Sequence, residues 1–131
     1  MEISGAQALN KWFKQADHDL QMAKSIIEDG GYDTCAFLCQ QAVEKYLKAL
    51  YIFKERKNPP KTHHLDELAK GLACPDSILD IARELSSDYM ISRYPDAATL
   101  APYEEYTVSD AQSKLAKAEK AIEWIKSQIK P

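Results

Sequence analysis

Apolar residues recur in alternating steps of four and three at Leu9, Phe13, Ala16, Leu20, Ala23 and Ile27, and this rhythm constrains the fold more than any other feature. Such spacing draws one apolar stripe along an α-helix and suits packing against near-parallel neighbours. The rhythm returns over Ala36, Cys39, Val43, Tyr46, Leu50 and Phe53, and again over Ala111, Leu115, Ala118, Ile122, Ile125 and Ile129. Gly30-Gly31 stops the first run. Asn58-Pro59-Pro60 stops the second, because a proline pair cannot continue the helical hydrogen-bond ladder. The same runs could build a long coiled coil, but these breaks fold the chain back on itself.

The intervening segments supply the remaining elements. Asp33 is placed to cap the second helix. Thr62 is placed to cap a short third helix with Leu65, Leu68, Ala69 and Leu72 inside. Cys74-Pro75-Asp76 breaks that helix and opens a fourth, with Ile78, Ile81, Ala82, Leu85 and Tyr89 facing inward. Thr107 and Asp110 have the spacing of a capping box before the last helix. Long helices of about 24 residues reach about 36 Å at 1.5 Å per residue. The expected fold is all-α: an antiparallel up-and-down four-helix bundle with a short additional helix, one domain over residues 1–131. Its core should contain Phe13, Leu20, Val43, Leu50, Leu85, Leu115 and Ile122.

Composition narrows the setting. A 45% hydrophobic content supports a core, and a net charge of −3 argues against bulk attraction to nucleic acid or an anionic membrane. Three cysteines, an odd number, argue against a disulfide framework. With no signal pattern and no apolar run of membrane-spanning length, the expected location is the cytoplasm.

Four features carry possible chemistry. Gln41, Glu44 and Lys48, with Gln40 and Lys45 beside them, share a polar stripe that suits a base edge and a phosphate, or an ordinary solvated face. Lys54, Arg56, Lys57 and Lys61 form a basic run that suits a polyphosphate or RNA, or the negative end of a helix dipole. His63-His64 offers acid–base or metal-binding imidazoles, or a simple cap. Cys35 and Cys39 lack the further ligands of a zinc site, and Cys39 lies on the apolar seam, so no metal or cofactor is expected. Finally, Ser92 to Tyr106 follows no period. It opens with Ser92-Arg93-Tyr94-Pro95-Asp96 at a helix end, where the Arg93 guanidinium can hold a phosphate and the Tyr94 ring can stack a base. Its tyrosines could equally form a packed lid over the bundle end.

Taken together, Tyr32-Asp33, the block from Cys39 to Ala49, Thr62-His63-His64-Leu65 and Ser92-Arg93-Tyr94-Pro95-Asp96 resemble the HEPN domain. They look like the branch found beside minimal nucleotidyltransferases, related in fold to the substrate-binding domain of kanamycin nucleotidyltransferase. The resemblance implies a helical bundle, usually a homodimer, that presents a nucleotide or small-molecule substrate to a separately encoded nucleotidyltransferase. It assigns Gln41, Glu44, Lys48, His64, Arg93 and Tyr94 to the polar site. Ribonuclease members carry a histidine four to six residues after a late arginine. Here Tyr94-Pro95-Asp96-Ala97-Ala98-Thr99-Leu100 follows Arg93 without one, which favours binding over catalysis. The Arg56–His63 spacing fits that pattern only formally, across a proline turn. The alternatives are a HEPN ribonuclease toxin of a toxin–antitoxin pair, with RNA as its substrate, and a purely structural dimerisation module. Trp12 and Trp124 beside the seams would serve a dimer.

Overall fold

The computed structural model describes residues 5–129, and all of its regular elements are helices. They are α1 (Gly5–Glu28), α2 (Tyr32–Glu55), α3 (Leu65–Gly71), α4 (Asp76–Ile91), α5 (Pro102–Glu105) and α6 (Val108–Gln128). Helix α1 ends as its glycines dictate. Gly30 takes φ +78°, its N–H bonds to the Ile27 carbonyl at 3.0 Å, and Gly31 N–H bonds to the Ile26 carbonyl at 3.0 Å. A Cβ on Gly31 would stand 2.4 Å from Ile26 Cγ1, so the second glycine makes room for the chain to turn.

Cross-helix pairs give the directions. Trp12 meets Lys48, and Asp17 meets Tyr46, so α1 and α2 run antiparallel. Lys114 meets Asp88 and Lys117 meets Glu84, so α6 runs against α4. Cys35 meets Ala111 and Tyr46 meets Lys126, so α2 and α6 lie alongside in one direction. The four longer helices therefore alternate up and down, with α3 packed on α4 and α2. Val43, Leu50, Leu85 and Ile122 are buried as expected, while Phe13, Leu20 and Leu115 pack against the core from its margin. Cys35 and Cys39 are wholly buried.

Three boundaries differ from the expectation. Helix α2 begins at Tyr32 with Gly31 as its cap, leaving Asp33 in the first turn, where its charge favours the helix dipole. His64 occupies the α3 cap, and Thr62 instead accepts the His64 N–H at 3.1 Å. The aperiodic connector contains the single turn α5, started by Pro102 with Glu104 and Glu105 behind it. Thr107 and Asp110 do form the reciprocal capping box, at 3.1 and 2.9 Å.

Both ends of the connector return to one residue of α4. The Ser92 N–H and hydroxyl donate to the Asp88 carbonyl, and Tyr106 Oη donates to Asp88 Oδ1 at 2.7 Å. Burial pushes the Asp88 carboxyl up, while the Tyr106 bond and Lys114, with Nζ 2.9 Å from Oδ2, pull it back. Tyr106 is buried, whereas Tyr103 is 72% exposed, so only one of these tyrosines acts as a lid.

Candidate functional site

Helix α2 is packed against α1, α3, α4 and α6, so polar residues on it are drawn inside. Gln40, Glu44 and Lys48, four apart, are 0%, 4% and 7% exposed. Polar groups at such depth need partners. Gln40 Nε2 donates to Glu44 Oε1 at 3.1 Å and to the His63 carbonyl at 3.0 Å. Lys48 Nζ donates to Glu44 Oε2 at 3.2 Å. His63 Nδ1 lies 3.0 Å from Glu44 Oε1, and because an ionised carboxylate only accepts, Nδ1 carries the proton. In the neutral ring Nε2 is then the basic nitrogen, and it has no protein partner among the described residues. The ladder continues sideways: Gln41 Nε2 donates to Gln40 Oε1 at 2.8 Å, and Lys45 reaches both Gln41 and Asp19.

An aromatic ring carries the ladder to the end of α4. His63 stacks on Tyr89 with ring centres 4.3 Å apart and planes 11° apart. The Arg93 guanidinium lies 5.6 Å from the centre of that same ring, 4.8 Å from Phe37 and 5.4 Å from Tyr94. Rings contribute about 0.5–1 kcal/mol each to an exposed cation and hold its plane steady. Among the described residues no carboxylate pairs with Arg93, so its hydrogen-bonding edge is free for an anion. Arg93 and Tyr94 are both exposed. Beside them opens a pocket of about 270 Å³ whose lining includes Lys61, His63, His64, Ser86 and Tyr89.

Of the residues expected at the site, Glu44 and Lys48 are joined in the ladder, and Arg93 and Tyr94 in the aromatic cluster. Gln41 touches the ladder only through Gln40, and His64 rims the pocket while His63 makes the bonds. Gln40, expected only beside the polar stripe, becomes its most buried member, and Phe37 is the participant that sequence reasoning did not place there. The basic run divides: Lys54 reaches the Leu72 carbonyl at 3.5 Å, Lys61 borders the histidine pocket, and Arg56 and Lys57 face a separate cleft against α1.

Chemically, this arrangement offers an oriented imidazole, an unpaired guanidinium and an exposed phenol ring. Such a set can bind a phosphate and stack a base. No helix among the described residues is long and apolar enough to cross a membrane.

Comparison with known proteins adds relatives to this geometry. Residues 9–128 match the family model described as HEPN domain. The protein named "Putative toxin MJ1304", from Methanocaldococcus jannaschii, is 28% identical over 133 residues, covering 91% of this chain and 86% of its own length. The crystal structure of TT1696 from Thermus thermophilus superposes with a TM-score of 0.85 at 28% identity, over 92% of this chain and 98% of that one. ST0689, described as an archaeal HEPN homologue, superposes with a TM-score of 0.80 at 36% identity, over 93% and 98%.

Proposed function

The chain belongs to the HEPN domain family, and on that premise we propose that it is a nucleotide- or substrate-binding subunit working with a separately encoded minimal nucleotidyltransferase. One observation carries the reading. The Arg93 guanidinium is held by Phe37, Tyr89 and Tyr94, faces no carboxylate among the described residues, and stands beside the His63 pocket. A nucleotide phosphate pairs with the guanidinium while its base lies on Tyr94. The functional unit in this reading is a homodimer.

Calorimetric titration with the four nucleoside triphosphates, alone and with the nucleotidyltransferase, tests it. Loss of a charged hydrogen bond costs about 1.5–3 kcal/mol, so Arg93→Ala should weaken binding about 10- to 150-fold. Arg93→Lys should recover part of this, since an ammonium lacks the planar fork. Melting temperature should fall by a few degrees in Arg93→Ala, which loses its contacts with Phe37, Tyr89 and Tyr94, and by less in Arg93→Lys. Unchanged affinity in Arg93→Ala would remove the binding role.

A second reading, a metal-independent ribonuclease toxin, rests on a different observation. In that reading His63 stands in for the histidine absent after Arg93, which is supported by the contact of both side chains with the Tyr89 ring. His63 Nε2 would take the proton from a ribose 2′-hydroxyl as its oxygen attacks the adjacent phosphorus, and Arg93 would stabilise the charge gathering on that phosphate. The P–O5′ bond would break to leave a 2′,3′-cyclic phosphate and a 5′-hydroxyl protonated by water. The toxin named among the relatives is in keeping with this. RNA cleavage in the presence of chelator, lost in both His63→Ala and Arg93→Ala, would establish it. An intact RNA substrate at enzyme excess would leave binding alone.

A further inference from the structure

Independently of the Arg93 cluster, we propose that the cleft between α1 and the C-terminal end of α2 is a second ligand site, built for a nucleoside polyphosphate. The cleft has a volume of about 910 Å³, and its lining includes Lys11, Trp12, Gln15, Lys45, Arg56 and Lys57. Among the described residues no acidic one lines it, although the chain as a whole carries a net charge of −3. Among the described residues Lys45 is ion-paired to Asp19, whereas Lys11, Arg56 and Lys57 have no carboxylate partner. Three uncompensated cations around one concavity form a site for several phosphate charges, and Arg56 can grip one of them bidentately.

Two further features separate this cleft from a chance group of surface lysines. Trp12 is half-buried in the wall and presents an aromatic surface to the ligand space, which phosphates alone do not require and a nucleobase does. Arg56 sits at φ 59°, ψ 32°, a left-handed conformation at the end of α2 that glycine normally fills. The chain retains a strained arginine at the rim and, through that turn, brings Lys57 and Asn58 into the lining.

The cleft and the Arg93 cluster are different places. Phe37, which holds Arg93, and Arg56 are nineteen residues apart on α2, or about 28 Å at 1.5 Å per residue, too far for one nucleotide to bridge. The buried ladder lies between them, with Lys48 Nζ 5.9 Å from the Trp12 ring centre.

Trp12 supplies the readout. In a Trp124→Phe background it is the sole tryptophan, and ATP should quench its fluorescence. Arg56→Ala combined with Lys57→Ala should weaken that response at least tenfold, as should Lys11→Ala. Arg93→Ala, which removes the other site, should leave the Trp12 response in place. Should Trp124→Phe fail to fold, calorimetry of Arg93→Ala with and without Lys57→Ala, an exposed position, reads the cleft alone. Absence of an ATP response, or a response insensitive to all three cations, overturns the proposal. So does equal affinity for inorganic tripolyphosphate, which would leave the nucleobase no role. A Trp12 signal that changes with protein concentration alone also overturns it, by assigning the cleft to a second copy of the chain. A response abolished by Arg93→Ala alone overturns the cleft while sparing the Arg93 site.

Discussion

Replacing Glu44 by alanine removes the anion shared by Lys48 and His63 and leaves the Lys48 ammonium, 7% exposed, without a counter-charge. The remaining neighbours compensate little. Gln40 keeps its bond to the His63 carbonyl, and the Trp12 ring stays 5.9 Å from Lys48 Nζ. Breaking a buried pair from one side costs about 3–5 kcal/mol, and the long lysine stem, able to reach toward water, sets the expectation at about 3 kcal/mol. With an unfolding entropy of about 2.1 cal/mol/K per residue, a loss of about 3 kcal/mol lowers the melting temperature by about 11 °C for a chain of 131 residues. A domain of this size has about 5–15 kcal/mol of stability, so the variant still folds at room temperature. Urea denaturation of wild type, Glu44→Ala, Lys48→Met and the double variant completes a double-mutant cycle. Removing both charges should cost less than the summed single effects by at least about 1 kcal/mol. A Glu44→Ala cost below about 1 kcal/mol, or additivity within about 0.5 kcal/mol, would refute the ladder as an interacting unit.

Three other outcomes follow from the geometry and a fourth from the proposed dimeric unit. Arg56→Gly should relieve about 1 kcal/mol of left-handed strain and raise the melting temperature while weakening ATP binding in the cleft, opposite signs that melting and fluorescence read separately. Thr107→Ala, which removes the α6 capping box, should cost about 1 kcal/mol in urea denaturation, and no change would mean the helix end is held by other bonds. Alkali should destabilise the fold. Burial lowers the Lys114 ammonium, but Asp88 and Glu84 outweigh it and hold it above its ordinary value, while burial foremost raises Tyr46 and Tyr106. Each group binds its proton more tightly folded than unfolded, so its contribution is complete below the unfolded value of about 10 and is lost as pH rises toward the folded one. Urea midpoints should therefore fall above about pH 10, less so in Lys114→Met, and a flat profile would contradict the burial of these groups. Sedimentation should show a dimer at micromolar concentration, and monomer alone would count against the dimeric unit.

Much of the fold was legible because a buried helix face repeats in sequence. The four-three steps through Ala36, Cys39, Val43, Tyr46 and Leu50 correspond to residues that are all buried. Helix starts were less legible, since Asp33 and Thr62 are good caps by residue type, yet the turns before them decide which amide is left unpaired. The site divides in the same way. Gln40 lies four residues from both Ala36 and Glu44, so helical phase alone could have placed it inside ahead of Gln41. Nothing between Pro60 and Leu65 is periodic, and the choice of His63 over His64 is made by Glu44 and Tyr89, which reach the loop from two other helices. The Arg93 cage was half visible. Tyr94 is adjacent in sequence and Tyr89 one turn back, but Phe37 comes from α2 and only folding brings it there.

Asp88 receives both ends of the connector, one through the Ser92 amide and hydroxyl and the other through the Tyr106 phenol. The loop is therefore tied back at both ends to a single residue of α4. Residues 95–101 hang outside this clasp, and doubling the length of a closed loop adds only about 0.6 kcal/mol. The segment is in effect an exchangeable cassette. Foreign sequence, a reporter peptide or a cleavage site can be spliced there, while Arg93 stays on its rings and α6 stays in register.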